Sequence, residues 1–335
     1  MVFALLPLAL AAAPLDVALL SKDAASSTLE VRWQPLTSPT LAEPFAALPV
    51  HPDETFRGVV LPGTRTVAVV RVPALVRDPS FAATLSLVTP DGAERVLATG
   101  LARASKPVLV GARLFVERGR AGAPSPTDYR VDELTVSEVD VLSGRLRTVY
   151  ETKGLSTHLA GAVGRELVLY VAGPQGAKVE AVHVDTLAVR TLVPALPPMA
   201  HDFTVDVAGK AVLFTVAEPG VERWFVERVE LATGRQQRLA EGDTVALLPT
   251  VLPGGVAYQR APGEGLVWAG REGVALPSRG PGFERVRFVV EGLVFARHET
   301  ADAAPVVTVT RVKDLGVVSL AQPTGAIVDV AGVAR

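Results

Sequence analysis

The chain has 335 residues, of which 49% are hydrophobic and 20% are charged. Its 33 lysines and arginines nearly balance its 35 aspartates and glutamates, so it lacks the concentrated basic face that a nucleic-acid partner requires. The absence of cysteine excludes disulfides, thiolate metal sites and cysteine nucleophiles. The 29 glycines and 26 prolines punctuate a valine-rich sequence, which predicts an all-β protein with many turns.

The chain begins with an apolar run, VFALLPLALAAA, that ends in small residues. An A-x-A cleavage site near Ala11 or Ala12 predicts a signal peptide within residues 1–13, and therefore a periplasmic or secreted protein. The usual basic residues are missing, which leaves a buried strand or a misplaced start codon as alternatives. Pro7, Pro14 and Asp16 interrupt the run well short of the roughly 20 apolar residues of a membrane span, so we expect no transmembrane segment.

The remainder, residues 14–335, is predicted to be one domain. From Leu15 to Trp33 the pattern predicts two strands and a polar turn, which we interpret as an outer hairpin without its inner partners. Residues 34–57 are rich in proline and are predicted to be an irregular connection.

Six similar units follow, each with an inner pair of strands and an outer hairpin. The most regular unit is Phe203–Leu239, FTVDVAGKAVLFTVAEPGVERWFVERVELATGRQQRL. Gly92, Gly144 and Gly234 occupy the equivalent hairpin turn, where a positive φ is needed. Four short strands joined by tight turns are typical of one propeller blade, so the repeats predict a β-propeller.

The chain ends with TGAIVDVAGVAR from Thr324, which is similar to the inner pair of the other units. Joined to the N-terminal hairpin, this segment would complete a seventh blade built from both ends of the chain. Such closure removes an open sheet edge. Seven blades are therefore predicted, with six blades and a separately packed N-terminal hairpin as the alternative.

The outer hairpins carry a V-D-x-x-T/S-G-x pattern, best matched by VDVLSG at Val139–Gly144 and VELATG at Val229–Gly234. In this pattern the units resemble the bacterial TolB-like and quinoprotein-like, or YncE-like, propeller repeats. The resemblance covers most of residues 58–335. The Pro-x-W-S-P-D-G core of the strongest TolB repeats is absent, so the resemblance implies a fold and no particular activity.

The segment before each inner strand leads to the axis of a propeller, where ligand sites collect. Aligned on the repeat, this place is held in successive units by a largely polar set: Arg57, Ser105 and Lys106, His158, His201 and Asp202, Leu247, Glu284 and Thr324. Arg57, Lys106, His158, His201, Asp202 and Glu284 are therefore the candidate ligand- or partner-binding residues. The alternative is that these residues line the mouth as polar residues do in any propeller.

The motifs of metal and nucleophilic catalysis are missing. The sequence contains no HExxH and no G-x-S-x-G. His183 and Asp185 would face the same side of a strand, but they lie in an outer hairpin, where polar residues normally face solvent. We accordingly predict no metal site, no cofactor and no catalytic residue.

These observations favour a monomeric, non-catalytic, exported propeller that binds a protein, a peptide or a cell-envelope component through its loop face. An axial-site enzyme is the alternative, for example a metal-assisted lactonase or lyase that uses His158, His201, Asp202 and Glu284. A third hypothesis is an accessory module of a larger envelope complex.

Overall fold

The structure is a computed structural model that describes residues 15–23, 25–73, 79–103, 105–123, 130–173, 176–196, 200–218, 220, 223–239, 245–300 and 305–334. The predicted signal peptide lies outside these residues. Within them the regular elements are 28 β-strands and one 3₁₀ turn at Pro79–Phe81. No helix in the described part of the chain is long and apolar enough to cross a membrane.

The strands are short, and most of them alternate buried and exposed residues or bury both faces. The first half of the chain contains β1 Asp16–Asp23, β2 Thr28–Pro35, β3 Ala46–Pro49, β4 Thr55–Val60, β5 Val67–Val72, β6 Ala83–Val88, β7 Glu94–Leu101, β8 Val108–Val110, β9 Arg113–Arg120, β10 Asp132–Val139, β11 Leu146–Gly154, β12 Ser156–Val163, β13 Glu166–Gly173 and β14 Gly176–His183. The second half contains β15 Val189–Leu196, β16 Ala200–Asp206, β17 Ala211–Ala217, β18 Trp224–Glu230, β19 Gln236–Leu239, β20 Leu247–Leu252, β21 Gly255–Gln259, β22 Leu266–Trp268, β23 Val274–Leu276, β24 Phe283–Val290, β25 Leu293–Glu299, β26 Val306–Arg311, β27 Val317–Val318 and β28 Ala326–Ala334.

The strands form antiparallel sheets of four, in which neighbours along the chain pair with each other. Four such sheets are β12–β15, β16–β19, β20–β23 and β24–β27, and a fifth has the order β28-β1-β2-β3. The groups β4–β7 and β8–β11 belong to one eight-stranded sheet, because a single bridge between Leu101 and Arg118 joins β7 to β9. The all-β fold built from four-stranded groups is therefore confirmed, while the joined sheet leaves the number of separate blades open.

The sheet that contains both chain ends differs from the predicted one. Its inner pair was expected from the C-terminus, but only β28 comes from there, and β1, β2 and β3 supply the other three strands. The segment expected to form a pair of strands is one continuous strand, whose register with β1 shifts between Ala18 and Leu19, beside Ala331 and Gly332. The N-terminal hairpin is thus the middle of this sheet and not its outer pair.

The proline-rich connection also contains a strand. β3 pairs with β2 from Val31 opposite Ala46 to Thr28 opposite Pro49. Proline is tolerated there because β3 is the edge strand of its sheet and needs hydrogen bonds on one side only. The prediction of an entirely irregular segment at residues 34–57 was therefore wrong.

The predicted hairpin turns are confirmed. Gly92, Gly144 and Gly234 have φ values of 85°, 74° and 69°, in the left-handed region that glycine adopts without strain. In the hairpin between β14 and β15 the corresponding residue is Leu187, with φ of 60°.

The hydrophobic core lies between the sheets. A buried cluster lies between each four-stranded group and the next one along the chain, and another joins β24–β27 to β1 and β28. In one of them the Phe203 ring packs at 4.9 Å from Tyr170 and 5.1 Å from Phe214, measured between centroids. This face-to-face packing of consecutive sheets leaves the first strand of each group free to line a common space.

Candidate functional site

The first strands of six four-stranded groups, and the segment before the first strand of the seventh, contribute to one cavity. Its walls are formed by β4, β12, β16, β20, β24 and β28 and by the segment just before β8, and its volume is about 640 Å³. A cavity of this size lies within the roughly 300–1,000 Å³ that small-ligand sites occupy. We call it the axial cavity and the seven strands the inner strands.

Five of the six residues selected from the sequence line the axial cavity. They are Arg57, Lys106, His158, Asp202 and Glu284. His201 does not line it but binds Asp202, with 2.8 Å between Nδ1 and Oδ2. Thus five of the predicted residues line one cavity, but they differ in how accessible their side chains are to a ligand.

Irregular strands aim several of these side chains. Register shifts interrupt β12 after Leu159, β16 after His201, β20 after Leu247 and β24 after Val286. A bulge bends its strand and redirects a side chain, and bulges are common beside functional sites. Asp202 lies in one of them with φ of 53°, a conformation that few non-glycine residues adopt.

Two arginines that the sequence interpretation overlooked also line the cavity. Arg285 binds Asp202 across 3.1 Å and Glu299 across 2.8 Å. Arg287 binds the fully buried Asp329, with 2.7 Å between Nε and Oδ1. The signal was the R-x-R alternation within β24, which would have placed both guanidinium groups on one face of the strand.

Asp202 and Asp329 are consequently engaged by the protein itself. Burial raises the pKa of Asp202, but the hydrogen bond from His201 and the charge of Arg285 outweigh it, so the pKa is below its ordinary value. Asp329 also accepts a 2.8 Å hydrogen bond from the backbone N–H of Gly58. Both carboxylates therefore neutralise arginines of the cavity wall.

Arg57 and Lys106 have no such neutralising partner. Nη1 of Arg57 donates to the carbonyl oxygens of Arg103 and Ser105, at 3.1 and 3.2 Å. Lys106 is exposed to the cavity, and within the described chain it forms no hydrogen bond or ion pair. The cavity thus contains two cations that form no ion pair, although the carboxylates of Glu117, Asp202 and Asp329 are near enough to offset part of their charge.

The surroundings make both charges unfavourable in the free protein. Burial by the cavity walls and the nearby charges of Arg287, Arg57 and Arg285 lower the pKa of Lys106 to about 8. Burial and the charge of Arg287 likewise lower the pKa of Arg57. A bound anion would relieve this repulsion, which is the electrostatic condition for an anion site.

Glu284 and His158 are less accessible than the sequence suggested. The Glu284 side chain is 1% exposed and accepts hydrogen bonds from the backbone N–H of Arg279 at 2.9 Å and from His298 Nδ1 at 2.9 Å. His158 packs on Phe203 at 5.3 Å between ring centroids. Burial and the charge of Lys106 lower the pKa of His158 to about 3, so its imidazole is neutral at physiological pH.

No group of three histidine, aspartate or glutamate side chains in the described chain is arranged to hold a metal ion. Asp185, considered with His183 as a ligand pair, instead binds Arg113 across 2.7 Å and pairs with Arg165. The side chains of Arg57 and Lys106 are instead placed to bind a negatively charged group.

The chemistry of the cavity changes along its length. Lys106 lies before β8, and the other charged lining residues lie within the first halves of their strands, except Arg287 near the middle of β24, whereas Val60, Val290 and Val333 lie at or next to strand ends. The same three valines line an adjoining cavity of about 610 Å³, together with Leu15, Leu61 and Arg65 among others, and Arg65 is paired with Asp16. The space therefore runs from a cationic end to an apolar end.

The fold resembles solved structures at low sequence identity. A prolyl endopeptidase matches over 91% of this chain and 49% of its own, with 14% identity and a TM-score of 0.60. The β-propeller domain of the Trilobed protease from Pyrococcus furiosus matches over 81% of this chain and 84% of its own, with 12% identity and a TM-score of 0.53. TolB from Acinetobacter baumannii matches over 93% of this chain and 64% of its own, with 11% identity and a TM-score of 0.49.

No protein family and no curated protein matches the sequence. The chain spans 64% of the length of that TolB and 49% of that endopeptidase. At these identities the likeness concerns the fold alone, and it defines the class of this protein as a β-propeller. No family match supports the narrower resemblance to quinoprotein-like or YncE-like repeats.

Proposed function

We propose that this protein is an exported, non-catalytic β-propeller that binds a protein, peptide or cell-envelope component at the mouth of its axial cavity. The observation that carries the proposal is that six inner strands and the segment before β8 line one cavity, in which Arg57 and Lys106 form no ion pair. Loops from many sheets converge at such a place, and a rigid scaffold positions them.

The proposal includes a ring of seven blades. It is supported by the seven four-stranded groups, by the hydrophobic clusters between consecutive groups, and by the pairing of β28 with β1. The single bridge between β7 and β9 is a local link between two of these groups. Pairing of the chain ends completes the last blade and leaves no open seam.

Capture from a periplasmic extract tests the binding function. A variant that carries Lys106→Ser and His201→Ser alters the charged end of the cavity, here called the mouth, and Lys153→Ser alters an exposed lysine of β11 as a control. We expect a partner that the wild type and the control retain and the mouth variant loses. Equal capture by the mouth variant and the wild type would contradict the proposal.

Export has its own test. Purification of the protein from the periplasm or the medium, followed by N-terminal sequencing, should show cleavage after Ala11 or Ala12. Full-length protein confined to the cytoplasm would contradict this part of the proposal.

The enzyme alternative gains no support from the contacts of its four residues. His201 binds Asp202, Glu284 binds His298, and His158 packs on Phe203. These are three separate sets of contacts, and each is explained by packing or charge neutralisation. A non-catalytic binding function therefore accounts for the site more simply.

A further inference from the structure

The axial cavity combines two features that a purely structural channel does not need. One part of the wall contains Arg57 and Lys106, which form no ion pair, and another part is lined by valines, among them Val60, Val290 and Val333. Like charges held close together in a partly enclosed space repel each other, and an anion placed between them relieves that repulsion. The two features together describe a ligand with a negative head and an apolar body.

The number of free cations limits the charge of that ligand. Arg285 and Arg287 are already bound to Asp202, Glu299 and Asp329, so they add little net positive charge. Arg57 and Lys106 can together neutralise one or two negative charges. This matches a single carboxylate or phosphate group and disfavours a polyanion.

The apolar part of the cavity supplies the second half of the recognition. Val60, Val290 and Val333 line both this cavity and the adjoining one, so the side chains that would contact an aliphatic chain form a continuous apolar strip. Each buried methylene group of such a chain contributes about 0.8 kcal/mol. A ligand with a chain of several carbons would therefore bind more tightly than its head group alone.

We propose that the axial cavity binds an amphiphilic anion, with the carboxylate or phosphate group between Arg57 and Lys106 and the aliphatic chain along the valine-lined section. This inference rests on the proposed binding function and names the chemistry that its site recognises.

Isothermal titration of the full chain with four probes tests the inference. Decanoate and decyl phosphate carry the two candidate head groups, decanol lacks the charge, and acetate lacks the chain. We expect decanoate or decyl phosphate to bind about tenfold or more tightly than decanol, as a charge-assisted hydrogen bond implies, and acetate to bind weakly. The tighter of the two anions identifies the head group.

Variants separate the two halves of the site. Lys106→Met should weaken binding of the preferred anion about tenfold and leave decanol unaffected, whereas Val290→Thr should weaken binding of both. Lys153→Met, on β11, is the matched control and should bind as the wild type does. Melting temperatures of all variants establish that they are folded.

Three outcomes would overturn the inference: decanol binding as tightly as both anions, an unchanged affinity in folded Lys106→Met, or no binding of either anion. If neither anion binds but the mouth variant still loses the captured partner, only this inference is contradicted. If an anion binds but the mouth variant captures the same proteins as the wild type, the amphiphile site is supported and the partner-binding function is contradicted.

Discussion

At the scale of single residues, Glu117 is a titratable group that the fold buries completely. It lies on β9, has no exposed surface, and neither carboxylate oxygen has a well-formed hydrogen bond. Burial raises its pKa to about 7, although the Thr157 hydroxyl and the Leu159 backbone nearby, and the charge of Lys106, act in the opposite direction. Its ionisation near neutral pH therefore opposes folding.

Glu117→Gln should change the pH dependence of stability. Because the folded-state pKa is raised from 4.5 to about 7, stability is fully present below pH 4.5 and is lost as the pH rises toward 7. The variant lacks this loss, so its free energy of unfolding relative to the wild type should increase by roughly 3 kcal/mol between pH 4 and pH 8. Urea unfolding at several pH values measures it. A difference independent of pH would contradict the assignment.

Leu187 shows backbone strain at a single position. Its φ of 60° matches the glycine turns of the neighbouring hairpins, and its side chain is 40% exposed. Leu187→Gly should therefore raise the free energy of unfolding by about 1 kcal/mol, because glycine adopts this conformation freely.

Leu142→Gly is the matched control for that change. Leu142 lies in the equivalent turn between β10 and β11, is 84% exposed, and has no positive φ. Its replacement should lower stability by about 0.5–1 kcal/mol through the greater freedom of the unfolded chain. Thermal unfolding should thus move in opposite directions for the two variants, and equal signs would contradict the strain argument.

At the scale of elements, one arginine of the outer strand recurs as a link between sheets. Arg95 of β7 donates to the carbonyl oxygens of Val141 and Leu142, and Arg147 of β11 donates to that of Val184 at 2.9 Å. Arg190 of β15 donates to the carbonyl of Leu231. Each bond runs from one outer hairpin to the hairpin of the next group.

Arg147→Met should weaken this link. It removes the bond to Val184 and the 2.7 Å ion pair with Glu138, so we expect a loss of roughly 1–2 kcal/mol in the free energy of unfolding. Arg145→Met lies two residues away, where the guanidinium has no hydrogen bond in the described chain, and should change stability by less than about 0.5 kcal/mol. Chemical unfolding of both variants measures the difference, and equal losses would refute the linking role.

The elements were largely predictable because strand alternation and turn glycines are local signals. Gly92, Gly144 and Gly234 mark their hairpins directly. β3 was missed because prolines before it and Pro49 within it suggest an irregular segment, although an edge strand tolerates proline. β28 was predicted to be a pair of strands because a glycine within a strand pattern can mark either a turn or an irregular strand. Both errors concern tertiary pairing, which local sequence does not specify.

At the scale of the whole molecule, the candidate site follows from the ring of sheets. Arg285 of β24 and Asp202 of β16 are 83 positions apart in the sequence, yet they form an ion pair. Their sheets are not consecutive, because the sheet that begins with β20 lies between them along the chain. The repeat predicted which residues approach the axis, but it could not predict which of them neutralise each other. The distinction between paired Arg285 and unpaired Arg57 and Lys106 is visible only in the folded protein.

The ring also explains why the cavity has two ends of different character. In β4 and β24 the charged residues Arg57, Glu284 and Arg285 come early in the inner strand and a valine comes at its end, and Asp202 likewise comes early in β16, so one repeat direction places these charged groups on the same side. This alignment concentrates positive charge that would be dispersed on an open sheet. Free charge concentrated in this way lowers stability and favours a negative ligand.

The melting temperature of Lys106→Met, with and without decanoate at pH 7, tests this central claim most directly. Because the folded-state pKa of Lys106 is lowered to about 8, its charge opposes folding below that pH, so the variant should melt above the wild type when both are free. Saturating decanoate should raise the wild type above the variant, because a ligand stabilises the protein that binds it. A variant that melts at or below the wild type when free and gains as much from decanoate would contradict the account.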